Sequence, residues 1–407
     1  MPRRTRPVTP GQHFAAQQQA WRQPAQAVSL WEGAASFPPE VFAYTTRGAW
    51  WDLLEELGLC VVCSREYENL LIGLSVVNKR PLLTYWPLPH PSGIAVSPHG
   101  QGIWVASTRN PNQLVQFCPS RGYLPRCDKL ARPQTAELLL LPVSSQYFPG
   151  GLYFHDLAFL GDRLHANAVG CNAIAAFNDR GGYTLEWWPR CLDGNEHRFA
   201  VNYLQLNSIA AGPDLAASFF SASTDHASAR RPGHRNFPVD RKGVIYSGAT
   251  REVVARGLTR PHSARLLRGE IWVNNSGYGQ LGLIESGGFT PVATLPGWTR
   301  GLCFHGQYAL VGSSRVIQRF KQYAPGVDVE KSRCGLHFLD VASGKVLGSL
   351  FWEYGNQIFA VELLPVSLVQ GFPLWAGGKG HRTSRTQALF YSFDKNAMLA
   401  GEDYHAE

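Results

Sequence analysis

Short apolar or alternating stretches run from Leu59 to about Phe393, separated by clusters of Gly, Pro, Asn and Asp. Such stretches are typical of β-strands joined by tight turns, and a second helical pattern is almost absent. Residues 38–58 differ, because five apolar side chains from Trp50 to Leu57 recur at helical spacing and Gly58 then provides a helix stop. The pattern therefore predicts an all-β chain with one short helix.

Six of the apolar segments share one form, in which a polar residue and a small or polar residue precede a strand. Their first residues, which we call the ring positions, are Ser92, His155, Asn207, His262, Arg300 and Gln357. A four-stranded propeller blade takes about 40–50 residues plus loops, and the ring positions have about this spacing. The repeat predicts a six-bladed β-propeller in which each segment is the innermost strand of a blade. A pair of β-sandwiches, the competing fold, would give the segments no common phase.

The same pattern of apolar and polar residues divides the chain into three parts. Residues 1–37, rich in Gln, Ala, Pro and Arg, are expected to form a mobile arm. Residues 38–58 are expected to form a helix packed on the propeller, and residues 59–400 a single six-bladed propeller. The strand near 59–63 and the segment LFYSF at 389–393 are the candidates that close the ring by sharing a blade.

Composition and charge exclude several classes of protein. The formal charge is +8, and four arginines without any acid within residues 1–31 account for half of it, so a nucleic-acid-binding face is not favoured. No apolar run approaches the roughly 18–20 residues that cross a bilayer, so no membrane association is expected. No apolar export signal follows the first arginines, and a cytoplasmic location is expected. Eight cysteines in 407 residues indicate buried thiols rather than a disulfide scaffold.

Two imidazoles and an amide among the ring positions suggest a metal site. If the innermost strands surround one channel, His155, Asn207 and His262 meet at its mouth and form a partial ligand set for a divalent metal. Asp156 is either a further ligand or a hydrogen-bond partner that orients one of the ligands. Imidazole favours zinc, iron or copper over calcium. In the alternative interpretation the polar ring holds only water, and a carbonyl satisfies each histidine.

A second group of polar residues points to an anionic ligand. Arg300 presents a planar fork suited to a carboxylate or phosphate, Thr299 adds a hydroxyl, and Gln357 completes the predicted substrate-binding set. The alternative partner for Arg300 is Asp156 or a carboxylate of another blade. Alternation along the strand turns Arg265 away from His262, so we expect Arg265 to bond between blades.

Several segments resemble the signature motifs of a bacterial family of conserved hypothetical proteins. They are FHDLAF, LNSIA, RPHSARLL and LPGWTRGLCF, and the resemblance spans about residues 59–365, with its most specific part at 260–315. It implies a propeller-like fold and carries over the residues His155, Asp156, Asn207, His262, Ser263, Arg265, Thr299, Arg300 and Gly301. Gln205 departs from the pattern, because the family has a histidine there.

These observations predict a metal-dependent enzyme that acts on a small, anionic molecule at the mouth of the channel. Hydrolysis, elimination and oxidation all remain open. Without a metal, neutral His155 or His262 is the candidate general base. The alternative is a non-catalytic propeller that binds a protein or carbohydrate, for which Trp187 and Trp188 are the candidate contacts.

Overall fold

Six antiparallel sheets arranged in a ring make up the fold. The computed structural model describes residues 37–376 except 99, 101, 109–111, 121–137, 149, 179–180 and 228–236. These described residues form six blades, each with at least four strands, and one α-helix. The predicted six-bladed β-propeller is confirmed.

The blades are numbered in the order in which their first long strands occur along the chain. Blade 1 contains β25 (Val361–Pro365), β2 (Leu59–Arg65), β3 (Leu70–Val77), β4 (Arg80–Pro87) and β26 (Leu374–Trp375). Blade 2 contains β5 (Pro91–Val96), β6 (Ile103–Ser107), β7 (Asn112–Ser120) and β8 (Leu139–Phe148). Blade 3 contains β9 (Phe154–Leu160), β10 (Arg163–Ala168), β11 (Ala173–Phe177) and β12 (Tyr183–Trp187).

The second half of the ring repeats this plan. Blade 4 contains β13 (Leu206–Ala210), β14 (Phe219–Ala222), β15 (Gly243–Ser247) and β16 (Val253–Leu258). Blade 5 contains β17 (Pro261–Leu267), β18 (Glu270–Asn275), β19 (Gln280–Glu285) and β20 (Gly288–Thr294). Blade 6 contains β21 (Trp298–His305), β22 (Tyr308–Ser314), β23 (Cys334–Asp340), β24 (Val346–Trp352) and β1 (Tyr44–Gly48).

The innermost strands are β5, β9, β13, β17, β21 and β25, and each contacts the next around the ring. Five of these strands contain a ring position, and the remaining ring position, Gln357, lies just before the sixth strand, β25. Each of the six predicted segments therefore begins or leads into an innermost strand. This arrangement brings residues that are distant along the chain to one end of the channel.

Both ends of the described chain close the ring. β25, from the C-terminal side, pairs with β2, with Cys63 opposite Val361, and becomes the innermost strand of blade 1. β1, from the N-terminal side, pairs with β24, with Tyr44 opposite Trp352, and becomes the outermost strand of blade 6. The segment at 389–393 lies outside the described residues, and β25 takes the position next to β2.

The predicted helix is present but short. It is α1 (Trp50–Glu56), and it buries Trp50, Leu53 and Leu54 against blades 1 and 6. The residues before it form a 3-10 turn at Pro39–Phe42 and strand β1 instead of more helix. Residues 1–36 lie outside the described residues. Within the described part of the chain, no helix has the length and apolar character that a bilayer crossing requires.

The hydrophobic core is divided among the six blade interfaces. One apolar cluster fills each interface, and the largest, around Trp50, Phe338 and Trp352, joins blades 6 and 1. The seven described cysteines are free thiols. Because the core lies between the blades, polar residues are left to line the axis.

Candidate functional site

Arg300 and His155 meet across the mouth of the channel. They belong to blades 6 and 3, on opposite sides of the ring, and Nη2 of Arg300 lies 3.5 Å from Nδ1 of His155. The guanidinium stacks on the ring of Phe359, 3.3 Å from its centroid, and the edge of that ring meets His155. Two predicted site residues therefore form one cluster, as the six-fold repeat requires.

Gln357 connects this cluster to a carboxylate that the sequence repeat does not contain. With its amide oriented to satisfy both neighbours, Gln357 accepts a hydrogen bond from Arg300 and donates one to Oε2 of Glu66 at 3.1 Å. Glu66 lies in the turn between β2 and β3 and is buried. Burial lowers the pKa of Arg300 to about 10, and the negative charge of Glu66 opposes part of that shift. Arg300 therefore stays a cation at neutral pH.

His262 is held as a neutral imidazole. Burial lowers its pKa well below the ordinary value, and the nearby charges of Arg300 and Arg260 lower it further. Its Nδ1 lies 2.8 Å from the carbonyl oxygen of Arg260 and 3.0 Å from Oγ of Ser276. A carbonyl only accepts, so the bond to Arg260 places the proton on Nδ1 and leaves a lone pair on Nε2. Nε2 has no hydrogen-bond partner among the described residues.

Arg260 is a candidate functional residue that the sequence analysis missed. It is 6% exposed, its guanidinium stacks 4.5 Å from the centroid of the Tyr323 ring, and burial lowers its pKa to about 10. Both Nε and Nη1 are buried without a hydrogen-bond partner. The other buried arginines in the described part are compensated, because Arg65 pairs with Glu68 and Arg300 bonds to Gln357. Arg260 is therefore a buried cation with unused donors.

Arg260 belongs to a second tier of residues at the mouth. His90, Tyr153, Gln205 and Arg260 each lie two residues before a ring position, and their φ angles are 43°, 59°, 53° and 51°. Non-glycine residues seldom adopt a positive φ, so its recurrence in four blades marks a shared local structure. The signal available from sequence was the fixed offset from the ring position.

Other predicted site residues join neighbouring blades. Oγ of Ser92 donates to the Phe154 carbonyl at 2.9 Å, and Nδ2 of Asn207 donates to the Pro261 carbonyl at 2.9 Å. Thr299 is buried, and its hydroxyl donates to the Gln280 carbonyl at 3.3 Å. Oδ1 of Asn207 is buried without a partner. The substrate role of Thr299 and the ligand role of Asn207 stay predictions.

Arg265 and Asp156 form an ion pair that crosses the channel. Nη1 and Nη2 of Arg265, in blade 5, lie 2.7 and 3.1 Å from the two carboxylate oxygens of Asp156, in blade 3. Nη2 of Arg265 also lies 3.9 Å from Glu362 of blade 1. Asp156 further accepts from the backbone N–H of Ile209 in blade 4 at 3.0 Å. Arg265 bonds between blades as predicted, and it takes the carboxylate that was an alternative partner of Arg300.

The donor set at the mouth does not fit a divalent cation. Within the described ranges, no three His, Cys, Asp or Glu side chains come together as a metal-binding group. Nδ1 of His155 faces the Arg300 guanidinium, and Asp156 is already engaged with Arg265. A dication bound by His155, Asn207 and His262 would be repelled by both Arg260 and Arg300. The predicted metal role of these residues therefore conflicts with the local charge.

The two candidate docking tryptophans are packed against the protein. Trp187 is buried, and its indole N–H donates to the Gly248 carbonyl at 2.9 Å. Trp188 donates to Asp193 at 2.9 Å and stacks with Arg198 and Arg251. Neither presents an open aromatic face for a protein or carbohydrate partner.

Comparison with known proteins gives a family and a set of distant folds. A family model described as "Domain of unknown function (DUF4915)" matches residues 48–370. No curated protein sequence matches the chain. A structure of a nidogen/laminin complex has a TM-score of 0.48 with 9% identity, covering 75% of this chain and 98% of that one. A gluconolactonase from Xanthomonas campestris has a TM-score of 0.43 with 13% identity, covering 69% and 82%. A streptogramin B lyase structure has a TM-score of 0.36 with 16% identity, covering 70% and 73%.

Proposed function

We propose that this chain, which belongs to the DUF4915 family, is an enzyme that binds a small anionic molecule at the channel mouth and removes a proton with His262. The observation that carries the proposal is Arg260, a buried guanidinium whose Nε and Nη1 have no partner. An unsatisfied buried donor is costly, and a bound acceptor removes that cost. A carboxylate or phosphate matches the fork of such a guanidinium.

Arg300 is the second cation of the proposed binding site. Its guanidinium is fixed by the ring of Phe359 and by Gln357, so its orientation is set before a ligand arrives. Glu66 offsets one of the two positive charges, and the mouth keeps a net attraction for an anion.

His262 supplies the proposed chemistry. Its Nε2 carries the lone pair, and its lowered pKa keeps it unprotonated at neutral pH. A positioned neutral imidazole acts as a general base toward a bound water or a C–H next to a carbonyl, which gives hydrolysis or elimination. His155, in contact with Arg300, is proposed to position that arginine and the substrate.

The proposal is tested by incubating the full chain in D2O with small phosphate esters, carboxylate-bearing esters and hydroxy acids, and following conversion or deuterium exchange by NMR. We expect the wild type to convert at least one compound, with no effect of a chelator. His262→Gln is expected to slow conversion by about a hundredfold while binding stays within a few-fold, because a general base contributes about 10²–10⁴. Arg260→Gln is expected to weaken binding.

His305→Gln is the matched control, because this histidine is exposed at the end of β21 that is farther from the mouth. Its conversion rate should equal that of the wild type. Conversion by His262→Gln at the wild-type rate would remove His262 from the mechanism. A wild type that neither binds nor converts any compound of the three classes would contradict the whole proposal.

A further inference from the structure

A second cavity with a strongly basic lining lies at the outer part of blade 6. Its volume is about 800 Å³, and it is lined by Arg47 of β1 and by residues on both sides of the β22–β23 loop. We call it the rim groove and define it by Arg47, Arg315, Gln318, Lys331, Ser332 and Arg333. A volume of this size is within the range of small-molecule sites.

The rim groove lies on the same face as the channel mouth but has its own lining. Ser314, the last residue of β22, is paired with Trp298 at the start of β21, so the loop that follows emerges on the face where the innermost strands begin. None of the ring positions lines the groove. A ligand bound here is therefore separate from a ligand at His262.

Two exposed arginines of the groove stack on the same aromatic ring. The guanidinium of Arg47 stacks 5.7 Å and that of Arg333 stacks 5.5 Å from the centroid of the same ring, Phe351. Neither guanidinium makes a hydrogen bond or an ion pair with the described residues. Both arginines line the same groove, and stacking restricts each guanidinium, which reduces the entropy that a ligand would otherwise have to remove.

The charges around the groove favour a ligand with more than one negative group. Four basic side chains line it, and Glu330 is the only acid among its lining residues. Lys331 is paired with Asp328 at 3.2 Å, whereas Arg315 donates to the neutral carbonyl of Glu353 at 2.7 Å, so Arg47, Arg315 and Arg333 give the groove its excess positive charge. Paired guanidinium forks match phosphate and carboxylate oxygens.

We propose that the rim groove binds a small polyanion, a molecule with two or more phosphate or carboxylate groups, between Arg47 and Arg333. The site is independent of the proposed enzyme chemistry at the mouth. The β22–β23 loop also carries Tyr323, which stacks on Arg260, so the same loop contacts both sites.

The test is isothermal titration of the full chain at low salt with inorganic pyrophosphate, and in parallel with citrate. We expect the wild type to bind, and Arg47→Gln/Arg333→Gln to bind at least about tenfold more weakly, or with one site fewer if the mouth also takes up the ion. Arg333→Lys is expected to bind with intermediate affinity, because it keeps the charge and loses the fork. Binding of both probes supports a general polyanion site, and binding of pyrophosphate alone supports a phosphate-bearing ligand.

Two variants separate the groove from other sources of binding. Lys345→Gln removes a cation from an exposed turn of the same blade and should leave the titration unchanged. Arg260→Gln should keep the groove site. The proposal is overturned if the double variant titrates like the wild type, if only Arg260→Gln loses binding, or if the wild type binds neither probe.

Discussion

A histidine outside the mouth, His337, shows how burial alone controls an imidazole in this protein. It is 1% exposed, and its two ring nitrogens lie 2.9 Å from the hydroxyls of Ser313 and Ser349. Burial lowers its pKa to about 3. Because the folded state holds His337 neutral and the unfolded state does not, its contribution to stability depends on pH.

His337→Gln is expected to flatten the dependence of stability on pH. The wild-type contribution is fully present above the unfolded pKa of about 6.5 and is lost as the pH falls toward 3, because only the unfolded state takes up the proton in this window. Between pH 6.5 and 4 the loss amounts to roughly 3 kcal/mol. Urea denaturation of both proteins at several pH values measures the difference.

The control for this prediction is His305→Gln, which changes a solvent-exposed residue at the end of β21. It should keep the wild-type pH profile. Equal slopes for His337→Gln and the wild type below pH 6.5 would show that burial does not hold His337 neutral.

The residues of the mouth were predictable only in part. His155, His262, Arg300 and Gln357 occupy one phase of a repeat that is visible in the sequence, and the structure brings them together. Arg260 was missed because a positive φ at a non-glycine residue leaves no trace in an apolar pattern. The charge balance was also missed, since it depends on Glu66 from a turn outside the repeat.

At the scale of the strands, hydroxyl groups join several neighbouring blades. Ser64 donates to the Ser92 carbonyl at 2.6 Å, Ser276 to that of Thr299 at 2.6 Å, and Ser314 to that of Ile358 at 3.2 Å. These bonds satisfy carbonyls in or just before the innermost strands. The Asp156–Arg265 pair adds a charged connection over a longer distance.

Asp156→Asn is expected to destabilise the fold by about 3 kcal/mol, because it leaves the mostly buried Arg265 with only the more distant Glu362 as a counter-charge. Chemical denaturation measures this loss. The matched control is Glu252→Gln, which breaks the exposed Arg190–Glu252 pair and should cause no measurable change. If the two variants lose similar stability, the Asp156–Arg265 pair stabilises the fold no more than the exposed Arg190–Glu252 pair does.

Strand β1 was not predicted, and its surroundings explain why. The pattern of burial alternates along a strand that has one face in the core, but all five residues of Tyr44–Gly48 are exposed. Its position is fixed by backbone pairing to β24 at the edge of blade 6. A strand whose side chains are all exposed has no hydrophobic signature, whereas the six innermost strands have a strong one.

At the scale of the whole molecule, the ring is closed in two places. β25 brings the C-terminal side into the centre of blade 1, and β1 brings the N-terminal side to the outer edge of blade 6. The first closure is buried among blades 1, 2 and 6, and the second lies at the surface. The sequence indicated that blade 1 is shared, and β25 pairs with β2 there, whereas the candidate segment 389–393 lies outside the described residues.

Shortened chains are expected to separate the two closures. A chain of residues 49–407 should still fold cooperatively but with a lower Tm, because it loses the exposed edge strand β1 together with the buried Val41 and the Val41 carbonyl that accepts from Arg65. A chain that ends at residue 356 should fail to fold, because it loses the innermost strand of blade 1 and the Gln357 bond to Arg300. Circular dichroism melting distinguishes the two, and a cooperative melt of the second chain would contradict the essential role of β25.

The contacts of Arg265 have a consequence for ligands that bind at the mouth. Arg265 of blade 5 pairs with Asp156 of blade 3 and lies 3.9 Å from Glu362 of blade 1, so these charged side chains meet near the axis, three residues along β17 from His262. We therefore expect a molecule that reaches His262 to enter and leave by the same end of the channel, so that product release precedes the next binding event.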